Sequence, residues 1–115
     1  MITLIWPWNF VFAVQLVPPD MVSGLDDLEV DSIDSSITYA LNTLSEYGKQ
    51  EWVSSNGIAS GYIKILRSFE FDSHMCREIE IVSKRPGSSD QRTVSYCQGI
   101  GLDWYPLGFT LDISQ

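Results

Sequence analysis

The chain has 115 residues, enough for one small domain, and its 44% hydrophobic composition can supply a modest core. Fifteen acids against seven bases leave a formal net charge of −8, and Asp20, Asp26, Asp27, Glu29, Asp31, Asp34 and Glu46 all precede the first base, Lys49. An acidic first half repels phosphate and argues against nucleic acid as a partner. One histidine and two cysteines without a CxxC pair argue against a metal set, and no motif calls for a cofactor.

Residues 2–19 are apolar apart from Thr3, Asn9 and Gln15. As a helix this stretch would reach roughly 27 Å, about the thickness of a bilayer core. Val11-Phe12-Ala13 also has the small-residue pattern of a secretory cleavage site behind an apolar region at 2–10, although a basic start is missing. Three readings therefore fit residues 1–19: a cleaved signal, a retained anchor in contact with a membrane, or an apolar arm docked on a partner. Pro18-Pro19-Asp20 breaks any helix, and residues 20–31 read as an acidic linker. Ile33, Ile37, Ala40, Leu41 and Leu44 then recur at spacings of three and four. That period predicts an amphipathic helix over 32–47, capped by Asp31 or Ser32 and closed by Gly48.

From Lys49 the period becomes two. A short strand at Glu51-Trp52-Val53 precedes the turn Ser54-Ser55-Asn56-Gly57. A longer one covers 59–71, with Ile63, Ile65, Phe69 and Phe71 assigned to one face and Tyr62, Lys64, Ser68 and Glu70 to the other. Strands at 75–84 and 91–98 flank Pro86-Gly87, and Cys76 and Cys97 stand ten positions before and after that dipeptide. A hairpin folded there sets the cysteines directly opposite each other. It also puts Glu78, Glu80, Thr93 and Ser95 on their face and Ile79, Ile81, Val94 and Tyr96 on the other. One register thus accounts for both the thiols and the alternation, and predicts a cross-strand disulfide in an oxidising compartment. Gly99 and Gly101 lead to a last strand at 102–107 that Pro106 confines to an edge. The expected architecture is α+β, one amphipathic helix packed on a small antiparallel sheet of four to five strands, with residues 108–115 as a tail.

Little in this pattern resembles an active site. His74 has no second histidine, the turn serines have no base beside them, and Glu78 and Glu80 fit a solvated strand face. Arg77 alternates inward with Ile79, where a buried guanidinium needs carbonyls or a carboxylate, so it is a structural hydrogen-bonding candidate. Trp52 is a structural candidate that could also line an exposed groove. Trp104 and Tyr105 are candidates to line an exposed groove, and Arg85, in a hairpin loop over residues 84–91, is a further partner-binding candidate.

The ordered set Gly48, Trp52, Ser55-Asn56-Gly57, Gly61, Phe69, Cys76-Arg77-Glu78, Tyr96-Cys97 and Asp103-Trp104 resembles the C-terminal domain of the 17 kDa surface-antigen family of Gram-negative bacteria, over residues 32–107. Gln98 stands where that family usually has a base. The resemblance implies a cell-envelope protein without catalytic activity. Non-enzymatic binding or scaffolding of other envelope proteins, on the periplasmic or outer face, is the leading expectation. A membrane-tethered accessory subunit held by residues 1–19, and a small periplasmic enzyme inhibitor acting through the hairpin loop, are the alternatives.

Overall fold

A computed structural model describes residues 15–22 and 24–107. Two helices, α1 (Pro19–Val22) and α2 (Asp27–Thr43), precede five strands: β1 (Lys49–Val53), β2 (Ser60–Phe71), β3 (His74–Arg85), β4 (Ser88–Gln98) and β5 (Trp104–Pro106). The strands form one antiparallel sheet in the order β1-β2-β3-β4-β5. Residues 1–14 and 108–115, which carry most of the apolar segment and the expected tail, lie outside the described residues.

The helix starts five residues earlier than its stripe predicts. Asp26 accepts a hydrogen bond from the Glu29 N–H (2.9 Å), and the Glu29 carboxylate accepts one from the Asp26 N–H (3.1 Å). This capping box satisfies two N–H groups that no helical carbonyl can reach, so it wins over a start at Asp31 or Ser32. The reading of 20–31 as a linker is corrected accordingly: the segment supplies α1 and the first turn of α2. The C-terminal end is also earlier, at Thr43, because Leu44 turns extended (φ −80°, ψ 144°). Tyr47, with φ 66°, rather than Gly48 makes the reversal, and hydrogen bonds from the Tyr47 N–H to Ile65 O and from the Ile65 N–H to Gly48 O tie this turn to β2.

Ile33, Ile37, Ala40 and Leu41 of α2 pack on Ile63, Ile65, Ile79 and Ile81 at the centre of the sheet. The β3–β4 register pairs Cys76 with Cys97, and the two form a disulfide with Cα atoms 4.0 Å apart. The hairpin loop is Pro86-Gly87 alone, with Gly87 at φ 81°, the value that the third position of a type II turn requires. The β2–β3 connection is equally short: Asp72 and Ser73 both adopt positive φ (54° and 68°), the mirror-image turn that matches strand twist.

One assignment of faces is overturned. A bulge between Ile65 and Arg67 inserts Leu66 as an extra residue, and every later side chain of β2 changes sides. Ser68 consequently joins Arg77 on the face that carries α2. Phe69 and Phe71 lie on the distal face, opposite Cys76 and His74. Strict alternation cannot reveal a bulge, since the sequence on either side of Leu66 reads equally well in both phases.

The end of the N-terminal apolar segment is part of the core. Leu16 and Val17 are buried among the core residues, the Leu16 N–H donates to Asp34 Oδ1 (2.6 Å), and the Tyr96 hydroxyl donates to Leu16 O. Residues 15–18 are not helical, so a continuous membrane-spanning helix over 2–19 is not formed; no helix among the described residues is long and apolar enough to cross a membrane. Together Leu16 and Val17 bring about 3–6 kcal/mol of apolar burial to the domain. At the far edge, β5 pairs with Tyr96, Cys97 and Gln98. Along the remainder of β4, Arg92 binds Asp90 (3.0 Å) and Asp20 of α1.

Leu16→Ala should destabilise the domain by about 2–5 kcal/mol in chemical denaturation. Burial, helped by the Asp34 charge, pushes the Tyr96 phenol well above its ordinary value of 10.0. A raised folded-state pKa means that the unfolded chain loses this proton first, so stability is full below about pH 10 and falls as pH rises further. Tyr96→Phe should flatten that alkaline slope in denaturation series run between neutral and alkaline pH.

Candidate functional site

The residues that could carry chemistry are engaged with one another. Both thiols are in the disulfide, and among the described residues no group of three His, Cys, Asp or Glu side chains could hold a metal ion. Glu78 pairs with Arg67 (3.1 Å), while Glu80 accepts hydrogen bonds from the Tyr62 hydroxyl (3.3 Å) and from Gln91. His74 stands opposite Phe71 beside the β2–β3 turn, on the distal face.

Arg77 is held on the covered face by three elements. Its Nη1 donates to Leu41 O in the last turn of α2 (3.0 Å), its Nε donates to Ser68 Oγ (2.9 Å), and Nη2 lies 3.7 Å from Glu46. Helix α2 has no base in its last turn, so this arginine from β3 supplies the positive charge that the carbonyl end favours. Ser68, through its hydroxyl and N–H, holds the Glu46 carboxyl below its ordinary range, with Arg77 adding to the effect.

Arg85 reaches the other end of the same helix, 3.3 Å from the fully buried Glu29 carboxylate. The expected loop over 84–91 is instead two strand ends joined by Pro86-Gly87, so Arg85 sits at a strand terminus with its guanidinium directed to the helix cap.

Trp52 is buried in the core over Gly61. A side chain at Gly61 would bring a Cβ 1.8 Å from Val82 O and 3.1 Å from the Trp52 ring, so glycine provides the room for both. Trp104 is also buried, and its indole N–H donates to Asn42 Oδ1 (2.8 Å), which fastens β5 to α2. Trp104 is therefore a core residue that also lines a shallow surface pocket. Tyr105 pairs with Cys97 on the distal face, half-buried, beside Phe71 and Gly99.

An exposed apolar surface lies where the β2–β3 turn meets the β4–β5 loop. Phe71, Asp72 and His74 of the first line a shared depression with Cys97, Gln98, Gly99 and Tyr105 of the second. On the covered side of the same end, Met75 and Gln98 border a shallow pocket of about 300 Å³ with Trp104 and Arg77. Of the nine large hydrophobic side chains that are exposed among the described residues, four are here: Phe71 (38%), Met75 (54%), Leu102 (69%) and Ile100 (100%). The loop is held by hydrogen bonds from the Gly99 N–H to Asp103 O (2.8 Å) and from the Leu102 N–H to Gly99 O (3.0 Å), and it places Leu102 at φ 67°. The alternation Gly99-Ile100-Gly101-Leu102 is a signal for this surface: two aliphatic residues, each preceded by a glycine, belong to neither a strand face nor a polar turn.

Comparison of the chain with protein-family models, with curated proteins and with solved structures finds no match in any of the three.

Arg77→Ala should destabilise the domain by about 2 kcal/mol, as loss of hydrogen bonds from a charged, largely buried donor does. Arg67→Ala, at a much more exposed ion pair, should change stability by less than about 1 kcal/mol. Thermal denaturation of the two variants with the disulfide intact checks the contrast.

Proposed function

We propose that this chain is an exported, non-enzymatic domain of the cell envelope that binds or scaffolds other proteins on the periplasmic or outer face. The Cys76–Cys97 disulfide carries the reading: both cysteines of the chain are consumed in a cross-strand bond, which persists in oxidising compartments. The resemblance to the 17 kDa surface antigens, over the same cysteines and tryptophans, supports the envelope assignment. Among the three readings of the N-terminal segment, a leader removed after Ala13 fits best. Such a cut leaves the contacts of Leu16 and Val17 with the core intact. An anchor or docking arm over 1–19 would have to withdraw Leu16 and Val17 from the core they complete. The inhibitor alternative loses its basis with the loop, since only Pro86 and Gly87 remain outside strands.

N-terminal sequencing of the natural protein should start at Val14, and alkylation before reduction should label no thiol. A chain that begins at Met1 in the membrane fraction would count against the cleaved leader and favour a retained anchor, and one with two reactive thiols would count against export and the envelope assignment.

A further inference from the structure

The apolar end of the sheet is built at a disadvantage that nothing among the described residues offsets. Ile100 is wholly exposed, and Leu102 combines an exposed side chain with a backbone conformation that bulky residues rarely adopt. Asn or Gly would suit φ 67° better, and a polar residue would suit solvent better at both positions. Neither packing among the described residues nor local propensity selects Leu here, whereas contact with another molecule would. The electrostatics say which kind. Residues 68–76 and 97–107, which form this end, contain Glu70, Asp72 and Asp103 but no Lys or Arg. The nearby Arg77 is committed to Leu41, Ser68 and Glu46, and Arg67 to Glu78 and the Phe69 ring. An apolar centre with an uncompensated acidic border repels a second copy of itself and an anionic lipid surface alike.

Resting on the reading of the chain as a protein-binding domain, we propose that Phe71, Ile100 and Leu102 form its docking surface, for a protein segment that presents aliphatic or aromatic side chains bordered by Lys or Arg. The apolar side chains give the contact its area, and Asp72 and Asp103 set its orientation and partner choice.

A random peptide library displayed on phage, selected against the disulfide-intact protein, tests this. Enriched peptides should pair apolar residues with Lys or Arg. They should bind Ile100→Ser and Leu102→Asn at least ~10-fold more weakly, the size of loss expected for a buried apolar anchor, and weaken with added salt. The melting temperature of Leu102→Asn should stay the same or rise, which separates loss of the surface from loss of the fold. Peptides that bind both variants as tightly as the parent would overturn the assignment of the surface and leave the binding-domain reading intact. Failure to select any peptide would count against both. Sedimentation with phosphatidylcholine vesicles, or dimerisation abolished by Ile100→Ser, would overturn the proposal in favour of a lipid or a second copy.

Discussion

The two arginines on the covered face of β3 hold the helix to the sheet, and most other contacts depend on that placement. Arg77 meets the carbonyl end of α2 and Arg85 meets the buried carboxylate at its amino end, with Ile79 and Ile81 between them. Apolar packing alone would let a helix slide or rotate over a sheet with little penalty. A guanidinium anchored at each end fixes its position along the sheet: the carbonyl end favours the charge of Arg77, and the Glu29 carboxylate holds Arg85 at the amino end, where the helix dipole alone would not. The Glu29–Arg85 pair is the more demanding of the two, because a fully buried carboxylate without its partner would be strongly destabilising. The same glutamate closes the capping box, so helix initiation and helix docking share one side chain.

The bulge at Leu66 organises the molecule on a second level. It sends Ser68 toward Arg77, where the hydroxyl completes the guanidinium's partners, and sends Phe69 to the distal face beside the disulfide. Without the extra residue, two phenylalanines would crowd the C-terminal end of α2, and the cysteine pair would lose its aromatic neighbour. A local irregularity in one strand thus separates an apolar, helix-covered half of the sheet from an end whose hydrophobic groups point outward.

Much of this was legible in the sequence. The cysteine spacing about Pro86-Gly87 set the β3–β4 register, and the stripe from Ile33 to Leu41 located the helix face, because both patterns depend only on residues close in sequence or related by one short turn. What could not be read depended on distant partners. The start of α2 was obscured by acids that look like a linker until Glu29 is seen buried against Arg85. The burial of Trp104 required Asn42, and the occupation of Leu16 required Asp34 and Tyr96. The density of aromatics drew attention to Trp104 and Tyr105 as candidates to line a groove. The structure directs it instead to Ile100 and Leu102, aliphatic residues of a kind usually discounted in loops.

The link between Leu16 and Tyr96 has a kinetic meaning as well. Eighty positions separate the two residues, so the core cannot close until β4 exists. At synthesis rates of about 5–20 residues per second, the first core residue waits roughly 4–16 s for its acceptor's donor to be made. Local elements such as α2 and the β2–β3 hairpin can form within that interval, but closure of so long a loop comes late. The chain is thereby kept open through most of its manufacture, and becomes a finished domain only when nearly all of it is present.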